Sequence, residues 1–170
     1  MSQPSYITIK GATQGDISKG AFTADSVGNI FQEGHEDKVF SQSVTYGVSV
    51  PRDPQSGQPS GQRVHQPASF IKYFDKSSPL LVQAIASGEI LQIEVKYYRT
   101  STAGLQEHYY SVKFTDCLLV QFDAYTPEAL DPKNGPYRDM EKVFFTYRKI
   151  EVTHEKAGTS GADDWRAPKQ

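Results

Sequence analysis

The chain contains one convincing helical stretch, Asp75-Lys76-Ser77-Ser78-Pro79-Leu80-Leu81-Val82-Gln83-Ala84-Ile85-Ala86-Ser87-Gly88. Its apolar residues recur at helical spacing and would form one buried face: Leu80, Leu81, Ala84 and Ile85. Ser78 is predicted to cap the first turn, and Pro79 suits the first helical position. Gly88 is predicted to end the helix in the left-handed conformation. Because so short a helix is marginal alone in water, it must pack on its surroundings.

The segments around this helix alternate between apolar and polar residues, as strands with one buried face do. The clearest runs are residues 38–50, 89–99, 105–115 and 139–154. The two middle runs flank a glycine-containing turn and predict an antiparallel hairpin. With about eight strands in all, the sequence predicts an all-β protein with one short α-helix near residues 78–88. A closed antiparallel β-barrel would leave few free sheet edges.

Two segments depart from this alternation. Residues 51–67 are rich in Pro, Gly, Ser and Gln and predict a long loop, which in a compact domain is usually functional or disordered. Residues 155–170 are polar and predict a flexible C-terminal tail, so the folded domain is expected to span residues 1–154. One face of the 38–50 run is small and mostly polar: Ser41, Ser43, Thr45 and Ser49.

Composition narrows the class of protein. The 170 residues suffice for one domain with a sizeable core. A net charge of −2 gives no reason to expect nucleic acid or an anionic membrane as partner, and no apolar run approaches a membrane span. The N-terminus lacks a basic segment followed by an apolar one, so we expect cytoplasmic synthesis without a cleavable secretory signal. Cys117 is the single cysteine, which excludes an intrachain disulfide.

The sequence offers little support for catalysis. Its four histidines fall in different segments without metal-ligand spacing: His35, His65, His108 and His154. The string His35-Glu36-Asp37 suggests an acid–base or metal cluster, but a polar turn is the preferred interpretation. Asp116 precedes Cys117 and should raise its thiol pKa, which opposes a nucleophilic thiolate. Nucleophile-elbow and phosphate-loop patterns are missing from the sequence. We therefore expect no catalytic site, metal or cofactor.

Three classes of function stay open on the residues alone. The long loop, the apolar residues on both faces of 139–154 and the single Trp165 in a polar segment favour self-association. A β-barrel hydrolase would use His35, Asp37 and a loop serine. A monomeric small-ligand barrel of the lipocalin type is the third class.

Several strings carry a family likeness. The most specific are Asp53-Pro54-Gln55-Ser56-Gly57-Gln58-Pro59-Ser60-Gly61-Gln62-Arg63-Val64-His65 and Ala157-Gly158-Thr159-Ser160-Gly161-Ala162-Asp163-Asp164-Trp165-Arg166-Ala167-Pro168. Further matching strings lie at residues 20–30, 33–37, 75–81, 97–101 and 147–150. Together they resemble the hemolysin-coregulated protein family, Hcp, the tube protein of the type VI secretion system of Gram-negative bacteria.

This resemblance implies a phage tail-tube-like β-barrel that assembles as a hexameric ring. Stacked rings would form the expelled inner tube and carry small effectors in their lumen, with the VgrG spike and the sheath as further partners. It implies no enzymatic activity, no cofactor, and secretion through the machine itself. Candidates for the ring and stacking interface lie in the long loop: Pro51, Asp53, Gln58, Gly61, Arg63 and His65. The small polar face supplies lumen candidates: Ser41, Ser43, Thr45 and Ser49.

Overall fold

The computed structural model describes residues 3–167. Within that range the chain forms eleven β-strands and two α-helices, with 3₁₀ turns at Gly28–Ile30 and Pro132–Asn134. In chain order the elements are β1 (Ser5–Gly11), β2 (Gly15–Asp16), α1 (Ala24–Val27), β3 (Val39–Thr45), β4 (Val48–Ser49), β5 (Val64–His65), β6 (Ala68–Tyr73), α2 (Ser78–Ser87), β7 (Leu91–Thr100), β8 (Gln106–Tyr125), β9 (Met140–Thr146), β10 (Lys149–His154) and β11 (Thr159–Asp164).

The main sheet closes on itself. Strands β8, β7, β1, β3, β6 and β9 pair in that order, each antiparallel to the next, and β9 pairs again with β8. The 20-residue length of β8 makes this possible, because one of its edges pairs with β7 while the other pairs first with β10 and then with β9. The prediction of an all-β fold with a closed, barrel-like antiparallel sheet and a short helix is confirmed.

Apolar side chains fill the inside of this closed sheet. The alternation of each strand sends every second residue inward, and these residues lose almost all contact with solvent. Burying each large apolar side chain stabilises the fold by roughly 1.5–3 kcal/mol. The ring of Phe114 lies at the centre, 5.0 Å from Phe145 and 4.9 Å from Tyr147 between ring centroids. The largest inward-facing residues on the strands include Ile7, Ile9, Phe70, Leu91, Ile93, Phe114 and Phe145.

Helix α2 packs on this core through Leu81 and Ala84, both buried, and Gly88 ends it with a φ of 69° in the left-handed region, as predicted. The predicted start is wrong by one residue. Ser77 is the N-cap residue, so Pro79 occupies the second helical position. The Ser78 hydroxyl does not cap the first turn, because it accepts hydrogen bonds from the Lys72 ammonium at 2.9 Å and from the backbone N–H of Asp75 at 3.1 Å.

A β-bulge in β3 corrects the predicted faces of that strand. The pairing of β3 with β6 shifts between Ser41 and Ser43. Before the bulge, Val39 and Ser41 face the buried interior; after it, Val44 and Tyr46 pack against the same core. The prediction of one continuous polar face from Ser41 to Ser49 is therefore wrong, because the extra residue of the bulge reverses which side chains face inward.

The C-terminal segment also differs from the expectation. Residues 159–164, predicted as part of a flexible tail, form β11 and pair with the whole of β10. The backbone of β11 satisfies the outer edge of β10, and Gly158, with a φ of 74°, allows the tight turn between them. The folded unit therefore extends beyond residue 154 to at least Asp164; residues 168–170 of the predicted tail lie outside the described range. Within residues 3–167, neither helix is long and apolar enough to cross a bilayer.

Candidate functional site

The segment between β3 and β6 forms a two-stranded arm, here defined as residues 48–65. Strand β4 pairs with β5, and Arg52 bridges to Pro59 further out. Two backbone hydrogen bonds continue the ladder, from Ser60 N–H to the Pro51 carbonyl at 2.7 Å and from Asp53 N–H to Gln58 at 2.8 Å. The segment predicted as a loop is therefore an ordered hairpin, and its lack of apolar alternation follows from exposure on both faces, since residues 50–62 are all exposed.

The tip of the arm is a compact turn built by Asp53. Its carboxylate accepts hydrogen bonds from Gln55 N–H at 2.9 Å and from the Ser56 hydroxyl at 3.0 Å, and these bonds hold the pKa of Asp53 below its usual range. Gly57 adopts a φ of 72°, which lets its N–H reach the Asp53 carbonyl at 2.8 Å. The tip thus has one defined shape although it makes its contacts within itself.

The arm presents apolar surface close to its base. Val48, Val50 and Val64 are 52%, 45% and 42% exposed. An exposed strand pair with exposed valines is typical of a surface that packs against another protein, because monomers rarely leave such edges open.

At its base the arm is fastened to the last strand of the sheet through Arg63. The Arg63 Nε donates to Asp163 Oδ2 at 2.7 Å, and its terminal nitrogen donates to the backbone carbonyls of Asp164 at 2.9 Å and Ala167 at 3.2 Å. The planar guanidinium suits such a set of divergent acceptors. This contact, together with those of His65, Tyr147 and Trp165 described next, is here called the clasp.

His65 lies between Asp163 and Tyr147 in the clasp. Its Nε2 is 2.7 Å from Asp163 Oδ2 and its Nδ1 is 2.7 Å from the Tyr147 hydroxyl. Burial, followed by the charge of Asp163, raises the pKa of Tyr147 to about 12, so the phenol keeps its proton at neutral pH. The hydrogen bond from Arg63 outweighs burial and lowers the pKa of Asp163. The hydrogen bond with His65 also favours the ionised form of this carboxyl. A phenol that is 3% exposed and hard to ionise makes a poor nucleophile. The arrangement therefore positions the chain and is not a catalytic triad.

Trp165 and Arg148 complete the attachment of the C-terminal segment. The indole Nε1 of Trp165 donates to the Tyr147 carbonyl, and its ring centroid lies 5.7 Å from that of His65. Arg148 binds Asp164 and also donates to Asp116 Oδ2 at 2.8 Å. Residues 163–165 are thus held from several directions, which explains why this polar segment is ordered.

Comparison with known proteins identifies the family. The family model described as "Type VI secretion system effector, Hcp" matches residues 6–154, which include the closed sheet and the arm. The chain belongs to the Hcp family. The family resemblance of the sequence is thereby confirmed.

Individual relatives agree over nearly the whole chain. The "Major exported protein" of Pseudomonas aeruginosa is 54% identical over 169 residues, which cover 99% of this chain and 98% of the relative. A crystal structure of an Hcp protein superposes with a TM-score of 0.93 at 46% identity, covering 97% of this chain and 99% of the other. The secreted protein Hcp3 from Pseudomonas aeruginosa gives a TM-score of 0.82 at 47% identity, covering 96% and 99%. The likeness therefore extends past residue 154 into the C-terminal segment.

The interface candidates of this Hcp chain fall into two groups. Four lie exposed on the arm: Pro51, Asp53, Gln58 and Gly61. Arg63 and His65 instead belong to the clasp, and the His65 side chain is 2% exposed because Tyr147 and Asp163 cover it. The His65 side chain is thus used within the chain, and a part for residue 65 in an interface stays a prediction.

The lumen candidates also divide. Ser43, Thr45 and Ser49 are exposed. Ser41 is fully buried, and its hydroxyl lies 3.1 Å from the carbonyls of Ser43 and Ile71. Because Ser41 satisfies the irregular backbone of the bulge, it does not line a wet surface.

The structure places the residues of the hydrolase alternative in separate roles. His35 stacks on Tyr6 with ring centroids 3.8 Å apart, and burial, then the charge of Lys38, lowers its pKa. The Asp37 carboxylate accepts a hydrogen bond from the backbone N–H of Gly20 at 3.0 Å.

The other candidate groups are also accounted for by the fold. Cys117 is buried, and burial more than the charge of Asp116 raises its thiol pKa. Within residues 3–167, no cluster of three or more His, Cys, Asp or Glu side chains could hold a metal ion. The sheet interior, packed with phenylalanines, does not suit the lipocalin-type alternative.

Sequence analysis missed a buried polar network beside α2. The Lys72 side chain is 0% exposed and pairs with Glu141 and, at 3.0 Å, with Asp75. It joins β6, β9 and the start of α2. The alternation of β6 could have indicated that Lys72 is buried, because Lys72 lies on the same face of the strand as the inward-facing Ala68 and Phe70.

Proposed function

We propose that this chain is the tube subunit of a type VI secretion system, and that it closes into hexameric rings that stack into the expelled inner tube. The observation that carries this proposal is the ordered, exposed arm that extends from a closed sheet in an Hcp chain. A subunit whose interfaces are heterologous closes into a ring when the rotation between copies permits it. The arm then supplies a contact between successive rings.

The chemistry of the arm suits stacking. Val48, Val50 and Val64 each have about half of their side chain left to bury, and apolar burial contributes roughly 25 cal/mol per Å². Repetition around a ring multiplies a weak contact, since the copies act together. The exposed tip residues Pro51, Asp53, Gln58 and Gly61 are the proposed polar part of the same interface.

The rings are proposed to carry or chaperone small effectors in the lumen, against an exposed polar surface that includes Ser43, Thr45 and Ser49. Such short hydroxyl side chains offer hydrogen bonds and leave the passage open. The VgrG spike and the sheath are the further proposed partners, at the end and on the outside of the tube. The subunit is proposed to reside in the cytoplasm before firing, to leave through the machine, and to have no catalytic activity of its own.

Negative-stain imaging and analytical ultracentrifugation test the assembly. We expect rings at moderate concentration and stacked rings at high concentration. A chain lacking residues 54–62 should fold and form rings but stack poorly; a replacement of these residues by a Gly-Ser linker of equal length separates the loss of contact from the loss of length. If only monomers are found at high concentration, the proposal that the chain forms rings is wrong. Normal tubes from both variants would show that the arm does not stack rings.

A further inference from the structure

The arm and the C-terminal segment meet through the polar contacts of the clasp. From the arm, Arg63 reaches three acceptors and His65 reaches Asp163. These acceptors all lie on residues 163–167, about a hundred positions further along the chain. Residues 50–62 are exposed, and the backbone N–H groups of Asp53, Gly57 and Ser60 donate to carbonyls of the arm itself. The position of the arm on the body is therefore tied to residues 163–167 as well as to its own base, where Gln66 N–H donates to the Gly47 carbonyl.

The clasp is partly buried and charge-assisted, which sets its strength. The side chains of Arg63 and His65 are 13% and 2% exposed, while Asp163 is 36% exposed. Hydrogen bonds to charged groups are about twice as strong as those between neutral groups. A buried polar group that loses its partner also costs free energy, because its removal from water is no longer offset by a hydrogen bond. Asp163 is the common partner of both arm residues, so its loss would weaken the attachment of both at once, leaving Arg63 its two carbonyl acceptors and His65 the Tyr147 hydroxyl.

We propose that residues 163–167 and the arm form one coupled unit, in which displacement of the C-terminal segment frees the arm and displacement of the arm loosens the C-terminal segment. Such coupling is reciprocal, because both directions share one free energy. The inference goes beyond the proposed function, since it holds for the isolated chain whether or not rings stack. In a tube it would make the arm responsive to whatever engages the C-terminal segment.

Trp165 gives this coupling a reporter. It is the single tryptophan of the chain, it donates to the Tyr147 carbonyl, and its ring lies beside His65. Its emission therefore reports on the C-terminal half of the clasp where it meets His65, while hydrogen exchange at the Asp53 and Ser60 amides reports on the outer part of the arm.

The experiment perturbs each half and measures the other. Asp163→Ala removes the shared acceptor, and we expect arm amides to exchange about tenfold faster or more, with amides of β1 and β7 unchanged. Arg63→Gln changes the arm only, and we expect a red shift of Trp165 emission. Glu107→Ala is the matched control, because this carboxylate pairs with Arg99 and Lys156 away from the arm; it should change neither signal.

Two results would overturn the proposal. One is unchanged arm exchange in Asp163→Ala together with unchanged Trp165 emission in Arg63→Gln. The other is an equal rise in exchange throughout the sheet, which would indicate general destabilisation. If Asp163→Ala does not fold, Arg63→Gln decides alone, read by both emission and arm exchange.

Discussion

Arg63 and Asp163 form a 2.7 Å ion pair that joins the base of the arm to the last strand of the sheet. The contact joins positions about a hundred residues apart in the chain, and it ties the exposed arm to the main sheet. Its low exposure on the arginine side distinguishes it from an ordinary surface salt bridge, which contributes little. The arm can therefore extend from the body and still keep a fixed direction, as the proposed contact between stacked rings would require.

The valines of the arm should be needed for stacking and dispensable for folding. Replacing Val48, Val50 and Val64 together by Ser removes exposed apolar area that contributes nothing to the core. We expect the midpoint of thermal unfolding to change little, since exposed substitutions usually cost within about 0.5 kcal/mol. Sedimentation velocity should show rings that stack less at each concentration. The polar arm substitution Gln62→Ser is the control, and stacking equal to the wild type in the triple variant would contradict the prediction.

The buried network at Lys72 should be costly to break on one side. Lys72→Met leaves the carboxylates of Glu141 and Asp75 buried without their cation. We expect a loss of about 3–5 kcal/mol in the free energy of unfolding, measured by urea denaturation. Pairing it with Glu141→Leu removes the second charge as well and should recover part of the loss. A single variant within about 1 kcal/mol of the wild type would be incompatible with this account.

Much of the fold could be predicted from local patterns, and its exceptions have local causes. Alternation correctly indicates the strands, and helical spacing with Gly88 indicates α2. Nothing in the residue types of β3 indicates the bulge after Ser41, so the sequence assigns the inward and outward faces wrongly over part of this strand. Strand β11 was missed because Thr, Ser, Gly and Ala carry no apolar alternation. Its order comes from the edge of β10 and from the clasp, both of which are tertiary.

The candidate site was predicted as a segment and not as an arrangement. The composition of residues 51–67 singled out the arm, yet it gave no indication that His65 turns inward. The partners of Arg63 and His65 lie about a hundred residues away, and no spacing rule links such positions. Charge pairs of this kind become visible only when the strands that hold them are placed.

Acid should weaken the clasp through Asp163. The hydrogen bond from Arg63 lowers the pKa of this carboxyl in the folded chain. The ionised carboxylate therefore contributes its full stabilisation above the pKa of an aspartate in the unfolded chain, about 3.9. This stabilisation is lost as the pH falls through the lower pKa of the folded chain. We expect the difference in urea midpoint between wild type and Asp163→Asn to shrink as the pH is lowered from about 6 to 3. A difference that stays constant over this range would mean that the charge of Asp163 does not stabilise the fold.

Alkali should unfold the protein through its partly buried tyrosines Tyr46 and Tyr97. Burial, with Tyr110 and Tyr109 nearby, raises the pKa of Tyr97 to about 12, and burial also raises the pKa of Tyr46. Because an unfolded tyrosine ionises near pH 10, the stability these phenols give is complete below that value and is lost as the pH rises towards about 12. The part of the phenolate absorbance that Tyr97 contributes, measured as the difference between the wild type and Tyr97→Phe, should therefore rise together with loss of β-sheet circular dichroism. In Tyr97→Phe the protein should lose less stability over this pH interval than the wild type does. If the phenolate absorbance that is present in the wild type and missing in Tyr97→Phe rises near pH 10 while the sheet stays intact, the partly buried environment assigned to Tyr97 is contradicted.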